Sequence, residues 1–212
     1  MSKSVYSILL NDEVVYLVDK MANANGMSRS SMIEKILASA VSYETPELRA
    51  NSIFQEIERL LSINSGMRYL EQPSNYMASI MSALTYRYNP AIKYSVELFP
   101  KSSHLGQLKV NLRTQNPTLI GHMSDFYSLY ALLEKKYYNE NARHIFDGAK
   151  FVRLFTFPNQ TVTTKELAEH LTIYVKHFDE LLSLYFSNLT NPSGFSVVEK
   201  RFLQLKKDAL VI

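Results

Sequence analysis

The sequence predicts an α+β fold that is mainly α-helical, with one strand at the start of the chain and a small antiparallel β-sheet further on. Apolar residues recur every three or four positions over several long stretches, which is typical of amphipathic helices. Two stretches, 92–98 and 108–112, instead alternate apolar and polar residues, which indicates neighbouring strands. A break in the helical pattern at Pro46 divides the chain into two expected domains, residues 1–45 and residues 46–212.

The composition excludes several common chemistries. Of the 212 residues, 46% are hydrophobic, which is enough to bury a core. The chain has no cysteine, so disulfides, thiolate metal sites and a cysteine nucleophile are ruled out. Its 6 glycines are too far apart for a phosphate-binding loop, and the usual hydrolase motifs are missing. We therefore expect no enzyme activity, no cofactor and no metal.

No stretch of the sequence is apolar enough to span a bilayer. The longest uncharged run, residues 181–198, contains asparagine, proline, serine and glycine. The apolar run that precedes Asn11 is too short for a signal peptide. We therefore expect a cytoplasmic protein without a membrane partner.

The first 45 residues predict one strand followed by two helices. Residues 4–10 are rich in β-branched, aromatic and aliphatic side chains and are short enough for one strand. Asn11-Asp12 can cap a helix, Asn25-Gly26 can end it, and Ser28 can cap a second helix that ends at Glu44-Thr45-Pro46. The two apolar stripes consist of Val14, Leu17, Val18, Met21 and Ala22 on the first helix, and Met32, Ile33, Ile36, Leu37, Ala40 and Val41 on the second.

A single strand of this kind is not expected to be stable in a monomer, because both of its edges would carry unpaired backbone groups. The simplest solution is a symmetric homodimer, in which two copies of the strand pair antiparallel and four helices pack against them. We therefore expect a homodimer or a higher homo-oligomer.

The N-terminal pattern resembles the ribbon-helix-helix family of DNA-binding proteins. The resemblance rests on Tyr6–Val14, on Asp19-Lys20-Met21-Ala22, and on the turn Asn25-Gly26-Met27-Ser28-Arg29-Ser30-Ser31-Met32-Ile33. It covers about 40 of the 212 residues, and the strand, both helices and the turn all fall at the family's spacing.

The resemblance implies sequence-specific binding of double-stranded DNA by a homodimer, most simply a transcriptional regulator such as a repressor from a bacterium, phage or plasmid. Its two-stranded β-ribbon would enter the major groove. Strand side chains alternate, so Tyr6, Ile8 and Leu10 would face the core. The base-facing side would carry Lys3, Val5, Ser7 and Leu9. The first turn of the second helix would offer backbone N–H groups to a phosphate through Ser28, Arg29 and Ser30.

Two other functions fit the same N-terminal fold. Residues 1–45 carry four basic and five acidic side chains, so we expect few phosphate contacts and a shallow salt dependence. One alternative is a ribbon-helix-helix dimer that serves as a protein-interaction scaffold without binding DNA. The other is an accessory DNA-binding protein of plasmid partition or of a relaxosome, which would bind tandem repeats.

Residues 46–212 predict further elements but contain no recognisable motif. The strands at 92–98 and 108–112 form a hairpin with one wet face, and Lys150–Phe157 is a strand that is apolar on both faces and hence central. Capping boxes at Thr163-x-x-Glu166 and Ser196-x-x-Glu199 open two helices. The five predicted helices begin at Pro46, cover Pro73–Tyr88, begin at Asn116-Pro117, run from Thr163 to about Asn188, and begin at Ser196.

This larger region could bind a protein partner or a small ligand. Two groups of side chains are candidates. Tyr127, Tyr130, Tyr137 and Tyr138 could line a ligand pocket or stack bases, or they could belong to the core. Lys93, Lys109 and Arg113 lie on the wet face of the hairpin, where they could contact nucleic acid or remain solvated.

Overall fold

A computed structural model describes residues 4–41, 43–62, 66–158 and 161–206, with only the backbone described for residues 71–73. The chain divides into two compact units, Met1–Thr45 and Pro46–Ile212. Helices and antiparallel strands occur together, so the predicted α+β class is confirmed. The described residues form six helices, one fewer than the seven predicted, because residues 46–212 contain four helices instead of five. Their six-stranded sheet is larger than predicted.

The smaller unit contains α1 (Asp12–Ala24) and α2 (Arg29–Ala40). The Asn11 side chain accepts a hydrogen bond from the Glu13 amide at 2.8 Å, and the Ser28 side chain accepts one from the Ser31 amide at 3.2 Å. Gly26 has a φ of +62°, the left-handed conformation expected after a helix end. The predicted caps and turn are therefore confirmed, although α2 ends at Ala40, well before Pro46. A small core joins the two helices through Val18, Ala22 and Met32, with Met27 and Ile33 packed against it.

Residues 4–11 precede α1 as exposed chain that is neither helical nor paired with another strand of the described residues. The predicted ribbon would need a second chain, so it stays a prediction. Lys3 lies outside the described residues.

The larger unit is built on one antiparallel sheet in the order β1-β2-β3-β4-β6-β5. Its strands are β1 (Arg68–Ser74), β2 (Met77–Ala83), β3 (Ala91–Leu98), β4 (Gly106–Leu112), β5 (Arg143–Asp147) and β6 (Lys150–Phe155). The predicted hairpin is confirmed as β3 and β4, with Lys93 opposite Asn111 and Ser95 opposite Lys109. The predicted strand at Lys150–Phe157 is β6; it ends at Phe155 and lies inside the sheet, between β4 and β5.

Helices cover one face of this sheet. They are α3 (Pro46–Ser62), α4 (Pro117–Tyr137), α5 (Thr164–Ser187) and α6 (Gly194–Leu205). Rings of α5 pack on the sheet, where Phe178 lies 6.0 Å from Tyr94 and Tyr174 lies 5.4 Å from Phe155. α3 packs along α5, and α6 packs on α4 and α5. The opposite face carries exposed Lys93, which is the wet face that the alternation predicts. Among the described residues, no helix combines the length and apolar character needed to cross a membrane.

The predicted helix over Pro73–Tyr88 is wrong, because this stretch contains the end of β1 and the whole of β2. On β2, Ala78 and Ile80 are buried against the core, and Ser79 is buried on the other face. Burial on both faces hides the two-residue period of a strand. Alanine and methionine, which are frequent in β2, also have high helix propensity.

The remaining helix starts are confirmed in three of four cases. Pro46 opens α3, and Asn116 caps α4 by accepting from the Thr118 amide at 3.0 Å. Thr163 and Glu166 form the predicted capping box of α5. The second capping box is wrong, since α6 begins at Gly194 and its N-cap residue Ser193 makes no capping side-chain bond.

Candidate nucleic-acid interface

The segment predicted to enter the major groove is exposed along its described length. Val5 and Leu9 are 99% and 103% exposed, and Ser7 is exposed as well. Of the three residues predicted to face the core, Tyr6 is 84% exposed, whereas Ile8 and Leu10 are less exposed, at 58% and 42%. Over residues 8–10, side-chain exposure therefore alternates, as expected for a strand with one covered face and one exposed face.

Both helices of the smaller unit expose apolar side chains. Val14, Leu17 and Met21 lie on one side of α1, and each is about half exposed. Leu37 and Val41 at the end of α2 are exposed to a similar or greater extent. These residues belong to the apolar stripes that the sequence assigns to a dimer core. Of the stripe residues, Val18, Ala22 and Met32 are buried in the structure. A dimer of the predicted kind would cover these exposed apolar side chains.

The first turn of α2 presents the predicted phosphate-contacting residues at the surface. Ser28, Arg29 and Ser30 are all exposed. Ser28 satisfies two amides at this end, since its side chain accepts from Ser31 and its carbonyl accepts from Met32 at 3.0 Å. By helix geometry, the amides of Arg29 and Ser30 are the ones directed at an external acceptor. They lie at the positive end of the helix dipole, where an anion is stabilised.

Arg29 is paired with a carboxylate that the sequence reasoning missed. Its Nε donates to Asp19 Oδ1 at 2.6 Å, and its Nη2 donates to Asp19 Oδ2 at 2.5 Å. This hydrogen bonding raises the pKa of Arg29 and lowers the pKa of Asp19. The charge nearest to the proposed phosphate site is thus balanced within the chain. The turn at Gly26 brings Asp19 and Arg29 together, although they are ten positions apart. No local sequence pattern indicates such a contact.

The larger unit contains a buried charged network, also missed from the sequence. Glu134 Oε1 on α4 accepts from Arg153 of β6 through Nε at 2.9 Å and Nη2 at 2.7 Å. Glu134 Oε2 accepts from the Tyr174 hydroxyl at 3.0 Å and from His144 Nε2 at 2.6 Å. The Glu134, Arg153 and His144 side chains are at most 2% exposed. The network therefore ties α4 and α5 to β5 and β6.

Electrostatics in this network favour the ionised form of Glu134. Burial raises the pKa of Glu134, but the hydrogen bond from His144 and the charge of Arg153 outweigh it, so the pKa is lowered overall. Burial, followed by the charge of Glu134, raises the pKa of Tyr174 far above its usual value. Glu134 and Arg153 therefore form a buried pair in which each charge is balanced by the other.

The larger unit contains two concave sites that are candidates for binding the small ligand considered from the sequence. The cavity beside Glu134 has a volume of about 20 Å³, which is room for about one water molecule. Tyr130 and Tyr138 line this cavity, and Tyr127 and Tyr130 belong to the core. Tyr127 and Tyr130 are therefore core residues rather than the lining of a ligand pocket.

The second concave site has a volume of about 280 Å³ and lies between α4, the end of α5 and the start of α6. Tyr185 and Phe195 form one wall, with near-parallel rings 6.2 Å apart. Asp125 and His122 lie on the same lining, and burial together with the charge of Asp125 raises the pKa of Tyr185 to about 12. This site has room for a small molecule. Within the described ranges, no cluster of three histidine, aspartate or glutamate side chains could hold a metal ion.

No protein-family model, curated protein or solved structure matches this chain. Its function is therefore inferred from the geometry and chemistry of its own residues.

Proposed function

We propose that this chain is a homodimeric, sequence-specific DNA-binding protein, a transcriptional regulator whose paired N-terminal segments enter the major groove. The observation that carries this proposal is the arrangement of residues 4–40. An exposed, non-helical and apolar segment leads directly into two capped helices that are joined by a tight turn. Pairing of two such segments would bury Ile8 and Leu10 and direct Val5, Ser7 and Leu9 to the bases.

The chemistry of the base-facing side favours a particular readout. Ser7 can exchange hydrogen bonds with a base edge, whereas Val5 and Leu9 can only make apolar contacts, for which the thymine methyl group is the partner in the major groove. Lys3 would lie on the same side. We therefore expect the bound sites to contain thymines at the positions that face Val5 and Leu9.

The proposed phosphate contacts come from the start of α2 in each protomer. The amides of Arg29 and Ser30 would bind one phosphate on each side of the ribbon, with Ser28 fixing the helix end. Since Arg29 is already paired with Asp19, we expect the backbone amides to supply most of this contact.

Selection of duplexes from a random library by the full-length protein tests the proposal. We expect one enriched motif, repeated as a palindrome or in tandem, and a footprint over it. S7A should weaken binding to this motif because it removes a base contact, and R29A should weaken it because the Asp19 carboxylate is left unpaired beside the phosphate site. R87A, which removes an exposed arginine of the larger unit, should not weaken it. Absence of duplex binding above the nonspecific level at low salt would rule out DNA binding.

The dimer is tested through the exposed side of α1. L17E places a charge on the surface that we assign to the second copy, so we expect the molar mass from light scattering to fall and DNA binding to be lost. The matched control is L203E, which introduces the same charge at a partly exposed leucine of α6. Equal behaviour of the two variants would contradict the assignment.

A scaffold without DNA binding is the second candidate. The Asp19–Arg29 pair favours it, because it removes a free positive charge from the proposed DNA-facing side. A wild-type dimer that enriches no duplex would support the scaffold. The arrangement of an enriched motif separates the two DNA-binding roles, since tandem repeats favour partition or relaxosome function and a palindrome favours a repressor.

A further inference from the structure

Strand β5 forms an open edge of the sheet in the larger unit. It pairs with β6 on one side, and no strand of the described residues lies on its other side. The opposite edge, β1, has an irregular register between Leu70 and Ser74 and contains Pro73, which lacks a backbone N–H. Irregularity and proline protect an edge strand from pairing. β5 has neither device and pairs with β6 in continuous register from Arg143 to Asp147.

The surface around β5 combines exposed apolar side chains with a groove. Ile145 is 65% exposed and Phe146 is 38% exposed, and Leu132 of α4 is 59% exposed nearby. An open groove of about 820 Å³ lies between α4 and β5, lined by Ala131, Leu132, Lys135, Lys136, His144 and Phe146. An open strand edge that exposes Ile145 and Phe146 beside such a groove is suited to strand addition.

We propose that β5 pairs antiparallel with β5 of a second copy, across a two-fold axis at Ile145, and so joins two six-stranded sheets into one. The sequence of the strand, Arg-His-Ile-Phe-Asp, is complementary to itself in this register. Arg143 lies opposite the partner's Asp147, and the same pair recurs at the other end. Ile145 lies opposite the partner's Ile145, and His144 lies opposite the partner's Phe146. This charge complementarity identifies a second copy, rather than an unrelated strand, as the occupant of the edge.

The two faces of β5 fit this arrangement. Arg143, Ile145 and Asp147 share the open face of the sheet, because they lie opposite Leu154, Val152 and Lys150 of β6. The new contacts on that face are therefore two ion pairs flanking an isoleucine pair. His144 and Phe146 point to the helix side, where Phe146 stacks on Phe151 with ring centroids 6.2 Å apart. The groove beside Leu132 gives room there for the partner's Phe146.

The contact is small, since a strand of five residues buries less than the roughly 800 Å² per partner that is usual in a stable complex. It is therefore weak alone and is strengthened where another interface already holds two copies together. The grounds for β5 pairing lie in residues 143–147 and the groove beside them, and not in the proposed N-terminal dimer or in DNA binding.

A cross-linking experiment on the full-length protein tests the register directly. The natural chain has no cysteine, so I145C carries a single thiol, and the two-fold axis places it opposite its own copy. Opposed residues of antiparallel strands have Cα atoms about 4.5–5.5 Å apart, which a disulfide can span. We expect mild oxidation to give a covalent dimer of I145C. The control K93C, exposed on the same face of the sheet but on β3, should give little.

Charge reversal tests the predicted ion pairs. Adding R143D to I145C places two acidic residues opposite each other at both ends, so we expect cross-linking to slow by about tenfold. Reversing the partner charge with D147R should restore it. Because Asp147 also lies opposite Lys150 of its own chain, the rescue variant includes K150E. Adding K93D instead of R143D controls for net charge.

The outcomes separate this proposal from the proposed function. Cross-linking at position 145 that R143D slows and the rescue restores supports β5 pairing, whether or not DNA is bound. Equal cross-linking at positions 93 and 145, no effect of R143D, or failure of the rescue in a folded variant overturns it. A dimer by light scattering without cross-linking at position 145 overturns β5 pairing and leaves the N-terminal dimer standing.

Discussion

Asp19 and Arg29 form a two-point ion pair across the turn between α1 and α2, with N–O distances of 2.6 and 2.5 Å. Fork-shaped pairing of this kind is the geometry in which arginine binds carboxylate and phosphate alike. Asp19 therefore occupies the donors that Arg29 would offer to a DNA phosphate. The pair links the surfaces of the two helices and moderates the positive charge at the start of α2.

Replacing Asp19 by asparagine is expected to strengthen DNA binding, because it releases the Arg29 guanidinium for a phosphate. Each new phosphate contact steepens the salt dependence of the binding constant by about 0.9 log units per log unit of salt, so two protomers should steepen it by up to about two. Fluorescence anisotropy with the selected duplex at several salt concentrations measures both effects. The control D125N removes one carboxylate from the exposed surface of α4. Equal effects of D19N and D125N would show that only net charge matters.

Gly26 and Gly121 should respond in opposite directions to alanine. Apart from its chain neighbours and the backbone of its own helix, a Cβ at either position would meet no atom within 4 Å, so crowding does not enter. Gly26 has a φ of +62°, and G26A should destabilise the smaller unit by about 1–2 kcal/mol. Gly121 lies inside α4, and G121A should stabilise the larger unit by about 0.5–1 kcal/mol. Hydrogen exchange of the amides in α1, α2 and α4 measures each effect locally. An unchanged exchange rate in G26A would contradict the requirement for glycine in the turn.

Local signals in the sequence were sufficient for most helix starts. Asn11, Ser28, Asn116 and Thr163 act as caps in the structure because a capping bond depends on residues only two or three positions away. The hairpin of β3 and β4 was predictable for a similar reason, since one of its faces is solvated and the alternation is visible.

Other elements carried weaker signals or none. β5 is short and mostly exposed, so its own pattern is weak. The sequence signal for the β5–β6 hairpin is the Asp147-Gly148 pair at the turn, where Gly148 has a φ of +54°. That pair was present in the sequence and could have located β5 and β6 together. The Asp19–Arg29 and Glu134–Arg153 pairs had no such signal, because their partners meet only through tertiary packing.

Removing the charge of Glu134 should destabilise the larger unit strongly. E134Q leaves the Arg153 guanidinium buried without a counter-charge, and breaking a buried pair in this way costs about 3–5 kcal/mol. The double variant E134Q/R153M removes both charges, keeps a carbonyl oxygen for the Tyr174 hydroxyl, and should be less destabilised than E134Q alone. Urea unfolding of the wild type, of the single variants E134Q and R153M, and of the double variant gives the coupling energy. A double variant that loses as much as the sum of the single variants would show that the pair is not coupled.

The same carboxylate should contribute to acid unfolding. The pKa of Glu134 is lowered from its ordinary value of 4.5, so its contribution to stability is present above that value and is lost as the pH falls through the lower, folded-state pKa. Urea unfolding between pH 6 and pH 3 should therefore show a shallower loss of stability in E134Q than in the wild type. Parallel pH profiles of the two proteins would contradict the lowered pKa.

Asp179 should show the opposite pH dependence. Its Oδ1 accepts from the Tyr94 hydroxyl at 2.7 Å and its Oδ2 accepts from the Ser82 hydroxyl at 3.0 Å, but burial outweighs these bonds and raises the pKa of Asp179 above its ordinary 3.8. Its contribution to stability is thus greatest below the unfolded-state pKa and declines as the pH rises through the folded-state pKa.

D179N keeps a carbonyl oxygen for Tyr94 and removes the charge. The stability of D179N should therefore not decline over this range and should equal or exceed that of the wild type at pH 7. D179A leaves the buried Tyr94 hydroxyl without its acceptor and should cost about 1–3 kcal/mol. Urea unfolding at pH 4 and pH 7 measures both variants, and a D179N protein that loses stability between these pH values as the wild type does would assign the decline to another group.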